Sequence, residues 1–563
     1  MEKKSFYTYI LALLLTGSFC TSCSDILEEE PNAGYDKEDY FTSTERVEMA
    51  IMGIYNSISD YRHYGWYEMG AHASDDTYFT IRVNSDNQIH DMVHYTLSSS
   101  NEWVETLWQF KYQGIDRANT VIEGIQGMAD YGDDKKLYAL EAEARFLRAM
   151  LAFDLVKYWG DVPFKTASTS NFESTFGARV SREDIYDQII EDLDFAKEHL
   201  EWATAASSPE RPTQGAARGL LMRVYLQRAG YSLQMDGTLT RPDETTRQDY
   251  FEAVINEWEA FEENGYHNFF NGGYEAFFKN LSQDMLDSRE SIFEVALYHQ
   301  QGMRNGSAWG IYNGPSVAEP EVPASELSKY MQRANGFFGV VPEWMKFFDE
   351  NDVRDSVNIC TYRFIWNMET MTHEKQERSQ TGWYVGKWRR EWMTEEDRGK
   401  NNNYADINVC VLRYPDVVLM AAEAYNETGN TSTAWSLINR VRQRAEATPI
   451  NGSNYNKLLK APKVYDLPYI DDSDEQGRVR TALYWERGFE LAFEGQRKYD
   501  LIRWGILDKA LQLFGGNSAL TQDGRNAYPA YKNFQTGKHE LLPIPLVEIQ
   551  SNPLLEGKNN PGY

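Results

Sequence analysis

The stretch EAEARFLRAMLAFDLVKYWGDVP, at Glu141–Pro163, decides how the chain folds. Its apolar residues recur at three- and four-residue steps and therefore share one helical face: Ala142, Phe146, Ala149, Phe153 and Val156. The Ala, Leu, Arg, Met and Glu residues between them are good helix formers. Gly160 can end the helix, and Pro163 cannot continue it. Small residues on the shared face allow close packing, so the stretch predicts a central helix with a near neighbour.

Further helices are predicted on both sides of this stretch. Apolar periodicity and end signals delimit these segments: Ser43–Ser59, Trp103–Gly124, Ser181–Leu200, Pro212–Ala229, Gln248–Asn264, Tyr414–Thr428, Ser432–Arg444, Thr481–Phe493 and Arg497–Trp504. The pair at residues 414–444 is similar to a tetratricopeptide unit, although the consensus pattern of that repeat is absent. Residues 61–96 and 265–408 show no long period, and Ser291–Tyr298 (SIFEVALY) is strand-like.

These segments predict a mainly α fold: a tetratricopeptide-like superhelix of helical pairs with an inserted loop-rich lobe that contains short strands. The predicted divisions are a signal peptide, an acidic tether, an N-terminal helical scaffold with ligand-site loops, a loop-rich ligand-binding lobe, and a C-terminal helical scaffold with a Pro-rich tail. In that order they cover residues 1–22, 23–42, 43–264, 265–408 and 409–563. We expect no helix in the Pro-rich tail after Leu541.

Composition limits the classes of function. A formal net charge of −29 argues against nucleic acid, whose phosphates need Lys and Arg. The 36 Tyr and 15 Trp residues give more ring surface than a core alone should require. Two interpretations stay open: a large aromatic core, or exposed rings that stack on a flat ligand such as a sugar. Cys360 and Cys410 could pair if they were adjacent, or could be buried free thiols.

The N-terminus has the features of a secretory signal. Lys3 and Lys4 precede a short apolar run at Ile10–Leu15, which is too short to span a bilayer permanently. Cys23 follows small residues in an arrangement similar to a bacterial lipobox, and we predict that it is lipidated. Cys20 is the alternative position, and simple cleavage without lipidation is a further alternative. No other segment has 18 or more consecutive apolar residues.

Motifs along the chain resemble those of the SusD/RagB lipoproteins, the surface nutrient-binding partners of outer-membrane transporters in Bacteroidota. They are collinear: CSD at residues 23–25, W…Y..I..AN at 108–119, ARFLRA…YWGDVP at 144–163, PTQGAARGLLMRVYL at 212–226, YPDVVLMAAEA at 414–424, INRVRQRA at 438–445, ERGFELAFEGQRKYDLIRWG at 486–505, LPIP at 542–545 and NPGY at 560–563. Only the loop-rich lobe lacks matches. Gly488 departs from the family pattern, where a charged or polar residue is usual.

The resemblance implies a surface-exposed lipoprotein of the outer membrane. Such a protein binds an oligosaccharide or another nutrient, delivers it to a SusC-like TonB-dependent transporter, and uses no cofactor and performs no catalysis. In the family the loop after the first helix, the segment before the W…Y..I..AN helix and the mid-chain lobe build the glycan site. By position, this implies the following ligand contacts: Asp75, Asp76, Tyr78, Arg82, Tyr95, Trp309 and Tyr312.

Other chemistries have weaker support in the sequence. The acidic residues of the 486–500 block could serve a glycoside hydrolase, but their helical spacing and alternating sign favour structural ion pairs. His90 and His94 stand in HDMVH, which is not the zinc motif HExxH. Asp472–Gly477 opens like a calcium loop, but Leu483 stands where the closing Glu belongs. A third hypothesis is a helical-repeat scaffold that binds only proteins.

Overall fold

The computed structural model describes residues 40–80, 89–299, 305–400, 404–458, 471–522, 528–555 and 557–563. The signal peptide, Cys23, most of the tether and Arg82 lie outside these ranges. Helices make up about 51% of the chain, and the strands are few and short. The prediction of a mainly α fold is therefore confirmed, whereas the division into five parts stays a prediction.

Twenty helices run through the described part of the chain. They are α1 Thr44–Ile58, α2 Glu68–His72, α3 Ile89–His94, α4 Glu102–Gln126, α5 Lys135–Trp159, α6 Arg182–His199, α7 Gln214–Ala229, α8 Glu244–Asn264, α9 Tyr274–Leu281, α10 Arg354–Asn358, α11 Glu395–Lys400, α12 Tyr414–Glu427, α13 Thr431–Arg444, α14 Tyr455–Leu458, α15 Glu475–Glu490, α16 Arg497–Arg503, α17 Leu507–Gly515, α18 Ala519–Gln522, α19 Ala530–Asn533 and α20 Leu546–Ser551.

Short strands lie mostly in the mid-chain lobe. They are β1 Thr77–Phe79, β2 Val162–Pro163, β3 Arg179–Val180, β4 Ser232–Leu233, β5 Leu239–Thr240, β6 Ser291–Val295, β7 Phe338–Val340, β8 Ile359–Cys360, β9 Tyr362–Asn367, β10 Thr372–Glu377, β11 Tyr384–Val385 and β12 Val409–Arg413. Strands β1, β7, β11 and β8 form one antiparallel sheet, in that order. The lobe is also tied to the scaffold because β6 pairs with β12, which leads directly into α12.

The central helix α5 is buried on almost every side and packs against α4 and α6. It ends where the sequence predicts: Gly160 has a φ of 70°, a left-handed backbone conformation that glycine adopts at little cost. Successive contacts then link α6 to α7, α7 to α8, α8 to α12, and α12 to α13 and α15. These helices form the scaffold on which the lobe is carried.

Some predicted boundaries and absences are wrong. The tail contains α20, because Pro545 stands at the N-cap, outside the helix that its ring would otherwise disturb. The segment at residues 61–96 contains α2, β1 and α3, which are too short to show a period.

Close packing explains the glycine at position 488, which departs from the family pattern. A Cβ there would lie 2.6 Å from a ring carbon of Trp344.

Within the described residues, no helix is both long and apolar enough to span a bilayer. Cys360 and Cys410 are free thiols, so the alternative of a disulfide between them is excluded.

Buried ion pairs join the lobe to the C-terminal scaffold. The guanidinium of Arg413, only 1% exposed, lies 3.0 Å from Glu290, 2.9 Å from Glu490 and 2.6 Å from Glu494. Every charged residue that the sequence singled out in the 486–500 block has an ionic partner: Glu486, Arg487, Glu490, Glu494, Arg497 and Asp500. The prediction that this block is structurally paired is confirmed.

Replacing Arg413 should destabilise the protein strongly. In Arg413→Met, three carboxylates lose a buried partner, and breaking a buried pair costs about 3–5 kcal/mol. Arg440→Met is the control, because Arg440 and its partner Glu262 are 32% and 47% exposed, and such pairs contribute at most about 1 kcal/mol. Denaturant unfolding gives both values, and equal losses would contradict this account of the network.

Candidate functional site

Three segments that are distant in sequence meet at a cluster of half-buried rings. Trp66 and Tyr67 come from the loop after α1, and Trp103 comes from the start of α4. The ring centroid of Trp103 lies 3.6 Å from that of Tyr67 and 4.5 Å from that of Trp66. Tyr312, from the lobe, brings its ring to 4.6 Å from Trp66. We call Trp66, Tyr67 and Trp103 the aromatic platform.

Further rings extend from the aromatic platform toward the lobe, through Tyr312 and through Tyr61, whose ring centroid lies 5.4 Å from that of Trp66 and 4.6 Å from that of Tyr404. Tyr312 stacks on Phe337 with their centroids 4.7 Å apart. Tyr404 stacks on His299 at 4.6 Å and an interplanar angle of 3°. Tyr298, which precedes His299 in the sequence, is 58% exposed. The arrangement gives a semi-exposed aromatic surface, which suits the apolar face of a flat ligand.

Buried charged residues attach the platform loop, residues 64–68, to helices α4 and α5. Glu68, which follows Tyr67 directly, accepts hydrogen bonds from Lys111 of α4 and Tyr158 of α5. Asp154 of α5 accepts from Tyr64 and, at 2.7 Å, from the same Lys111 ammonium. The loop is therefore fixed at both ends, before and after the platform rings, to two long helices. We call Glu68, Lys111 and Asp154 the ion cluster.

The electrostatics of the ion cluster keep its carboxylates charged. Burial alone would raise the pKa of Glu68, but Lys111 and a hydrogen bond from His72 hold it well below its usual range. Burial would also raise the pKa of Asp154, but the nearby ammonium groups of Lys111 and Lys157 lower it to about 2. The same burial, aided by Lys111, lowers the pKa of His63 to about 3, so His63 is neutral near pH 7.

Residues of the lobe also donate hydrogen bonds to the backbone of the platform loop. The indole Nε1 of Trp309 donates a hydrogen bond to the Tyr64 carbonyl at 3.1 Å, and the Ala308 amide donates to the Gly65 carbonyl at 2.8 Å. Trp309 is 2% exposed and packs against Trp388. Its ring has no free face for a ligand, so the expectation of a direct stacking role is corrected. Trp309 orients the backbone that carries the aromatic platform.

The two predicted carboxylates are also buried and partnered, which corrects the expectation that they face a ligand. Asp75 is 0% exposed and receives two hydrogen bonds of 2.9 Å from the Arg497 guanidinium. Asp76 accepts from Thr77 at 2.9 Å, and burial together with the Asp75 charge raises its pKa. Asp76 also accepts from the Phe493 amide at 3.3 Å, so both carboxylates attach the loop to the C-terminal scaffold.

The remaining predicted residues divide between burial, the platform edge and the undescribed part of the chain. Tyr78 is 3% exposed and donates to the Thr381 carbonyl at 2.9 Å, and Tyr95 is 4% exposed with its ring 5.1 Å from Phe534. The expectation that these two rings are accessible is therefore corrected. Tyr312 is 8% exposed and touches the platform, so its role stays a prediction. Arg82 lies outside the described residues.

No metal site emerges in the ranges that the structure covers. His90 and His94 share α3, with ring centroids 5.6 Å apart, but no cluster of three or more His, Cys, Asp or Glu side chains there could hold an ion.

The pKa of His63 predicts a pH dependence of stability. The folded protein keeps His63 neutral down to about pH 3, whereas in the unfolded chain it is protonated below about pH 6.5. Its contribution to stability is complete above pH 6.5 and is lost as the pH falls below that value. When the pH is lowered from 7.5 to 5, the free energy of unfolding of His63→Gln should fall by about 2 kcal/mol less than that of the wild type. Urea unfolding at both pH values measures this difference, and an equal loss in both proteins would contradict it.

Comparisons with known proteins agree with this architecture. The model of the SusD family matches residues 231–563, and a second model, described as starch-binding associating with outer membrane, matches residues 25–226. SusD-like protein P25 of Formosa agariphila is 26% identical, covering 97% of each chain. A SusD-like protein of Bacteroides ovatus is 22% identical over 90% of this chain and 84% of its own.

Solved structures share the fold. A SusD homolog from Bacteroides thetaiotaomicron superposes with a TM-score of 0.75 at 24% identity, covering 94% of this chain and 98% of that one. Surface glycan-binding protein A from the same species, solved in complex with laminarihexaose, has a TM-score of 0.67 at 18% identity, covering 92% and 100%. Because a family model spans more than half of the sequence, the chain belongs to the SusD family.

Proposed function

We propose that this protein binds an oligosaccharide on the aromatic platform at the cell surface and delivers it to a SusC-like TonB-dependent transporter. The observation that carries the proposal is that the half-buried rings of Trp66, Tyr67 and Trp103 meet at one surface, with Tyr312 of the lobe packed against Trp66. A loop held by the ion cluster and by Trp309 presents the rings in a fixed arrangement. Fixed rings lose little conformational entropy on binding, which favours affinity from a shallow surface.

Glycans are the ligand class that the relatives support. One structural neighbour is a laminarin binding SusD-like protein, and another was solved with laminarihexaose. Sugar rings have an apolar face that stacks on aromatic side chains, while their hydroxyls bond to polar groups at the edge. The platform supplies rings for such stacking, and no catalytic role is part of the proposal.

Removing platform rings should weaken glycan binding without unfolding the protein. Because burying an aromatic ring contributes about 1.5–3 kcal/mol, Trp66→Ala and Trp103→Ala should each lower affinity about tenfold or more. Laminarin, laminarihexaose and soluble starch are the first probes, followed by a wider glycan array, with affinities from calorimetry. Tyr250→Ala is the control, since Tyr250 is a half-buried ring stacked on Tyr225 of the helical scaffold. Unchanged affinity in both Trp variants would reject the platform as the site.

The glycoside hydrolase alternative makes a different prediction. The acidic residues that would serve it are engaged in buried ion pairs: Glu486, Glu490, Glu494 and Asp500. A hydrolase needs two carboxyl groups that flank a sugar in an accessible cleft. Release of reducing sugar from a bound glycan by the purified protein would favour that alternative, and retention of the glycan intact favours the binding protein. A glycan array with no hits but retained transporter binding would favour a protein-only scaffold.

The anchor and the transporter are tested together in the native host. Two or more acyl chains hold a protein stably at a membrane, so Cys23→Ser should release the protein from the outer-membrane fraction. Cys20→Ser is the matched control and should leave it membrane-bound. Affinity purification of the wild type should recover a TonB-dependent barrel. Membrane retention of Cys23→Ser would contradict the proposed anchor, and the absence of a barrel would contradict the proposed partner.

A further inference from the structure

A cavity of about 530 Å³ lies in the helical scaffold and shares no residue with the aromatic platform. It forms where α7 and α12 end, α8 begins, and α15 and α16 pass by. Its size falls within the roughly 300–1,000 Å³ that small-molecule sites occupy. We call it the scaffold cavity. Nothing in the proposed platform function uses it.

The charges that line the scaffold cavity compensate each other. Glu423 accepts from Arg503 at 2.8 Å and from the indole Nε1 of Trp504 at 3.0 Å. Glu427 accepts from two nitrogens of Arg480, at 2.7 and 2.8 Å. At these two pairs an ionic ligand would have to break an existing contact. The lining as a whole, with four arginines and four acidic residues, has no formal net charge to attract it. The wall chemistry therefore selects against a strongly charged ligand.

Paired groups still have hydrogen-bonding capacity for a neutral ligand. A carboxylate has about four acceptor positions and a guanidinium five N–H donors, and the contacts above use only part of them. Arg247, near the start of α8, donates hydrogen bonds to the Ala229 carbonyl at 3.1 Å and to Glu244 at 2.6 Å. These partners fix the orientation of the planar polar groups before any ligand arrives, so little entropy is lost on binding.

The other part of the wall is apolar and aromatic. Leu226, Phe251 and Ile506 line it, together with the half-buried indole of Trp504. The Trp504 ring is oriented by its bond to Glu423 and lies 4.9 Å from the Arg503 guanidinium. A pyranose ring has one face of C–H groups and a rim of hydroxyls, which matches an apolar wall beside planar donors and acceptors.

From this combination we propose that the scaffold cavity is a second saccharide site, which takes one or two neutral sugar units. A free mono- or disaccharide and the end of a longer glycan have the same chemistry and would bind in the same way. The site is independent of the aromatic platform and does not rest on the platform's function.

The test is saturation-transfer NMR on the full chain. The probes are D-glucose, D-galactose, D-mannose, D-xylose, N-acetyl-D-glucosamine, maltose and cellobiose, each up to about 50 mM, well above a millimolar dissociation constant. Wild type and the double variant Trp66→Ala/Trp103→Ala are compared, because the double variant lacks the platform rings. At least one sugar should bind both proteins equally.

Two variants locate the binding. Ile506→Trp places bulk in the cavity and should lower affinity at least tenfold, with circular dichroism as the check on folding. Arg480→Ala removes a donor whose side chain is 46% exposed, does not disturb the core, and should weaken binding several-fold. Arg440→Ala, which removes a comparably exposed guanidinium outside the cavity, should change nothing.

Three results would overturn the proposal. The first is that no probe binds the wild type. The second is that both cavity variants retain full affinity. The third is that binding disappears in the platform double variant and survives in Ile506→Trp, which would assign the sugar to the platform instead. Unchanged glycan affinity in Trp66→Ala and Trp103→Ala would reject the platform as a site but would not change the expected sugar binding in the cavity. The two proposals can therefore be rejected separately.

Discussion

The hydrogen-bonded pairing of Glu68 with Lys111, deep between α2, α4 and α5, is the constraint on which the candidate site depends. A carboxylate and an ammonium in the protein interior are stable only when each has a partner, so their positions are fixed relative to each other. Glu68 follows the platform residue Tyr67 directly in the chain. Because Glu68 must stay paired with Lys111, the position of the adjacent platform rings is restrained as well.

The same strategy recurs throughout the molecule. Arg497 bonds to Asp75 across more than four hundred residues of sequence, and Arg413 joins the lobe to the C-terminal scaffold through three carboxylates. Removing one member leaves a buried charge without compensation, which destabilises far more than loss of an exposed pair. Loops that have little core of their own are in this way attached to a rigid helical scaffold, and they can present side chains at a defined surface.

The sequence predicted the scaffold well and the site only in outline. Helical periodicity located α5 and its end at Gly160, and alternating charges in the 486–500 block predicted ion pairs that the structure confirms. Of the rings in the candidate site, the sequence singled out Tyr312, but not Trp66, Tyr67 or Trp103. Trp309 and Trp66 are both tryptophans in irregular segments, and only tertiary packing decides that one is 2% exposed and the other half-buried. Side-chain direction in a loop has no period, so no pattern could have separated them.

The buried ion cluster thus positions a surface that it does not itself form. The most direct test is the affinity of Lys111→Met for the glycan that the wild type retains, measured where circular dichroism shows a native helix content. Lys111 is 0% exposed and cannot touch a ligand. We predict at least a tenfold loss of affinity, because Glu68 and Asp154 lose their shared cation and release the platform loop. Wild-type affinity in the folded variant would contradict the account.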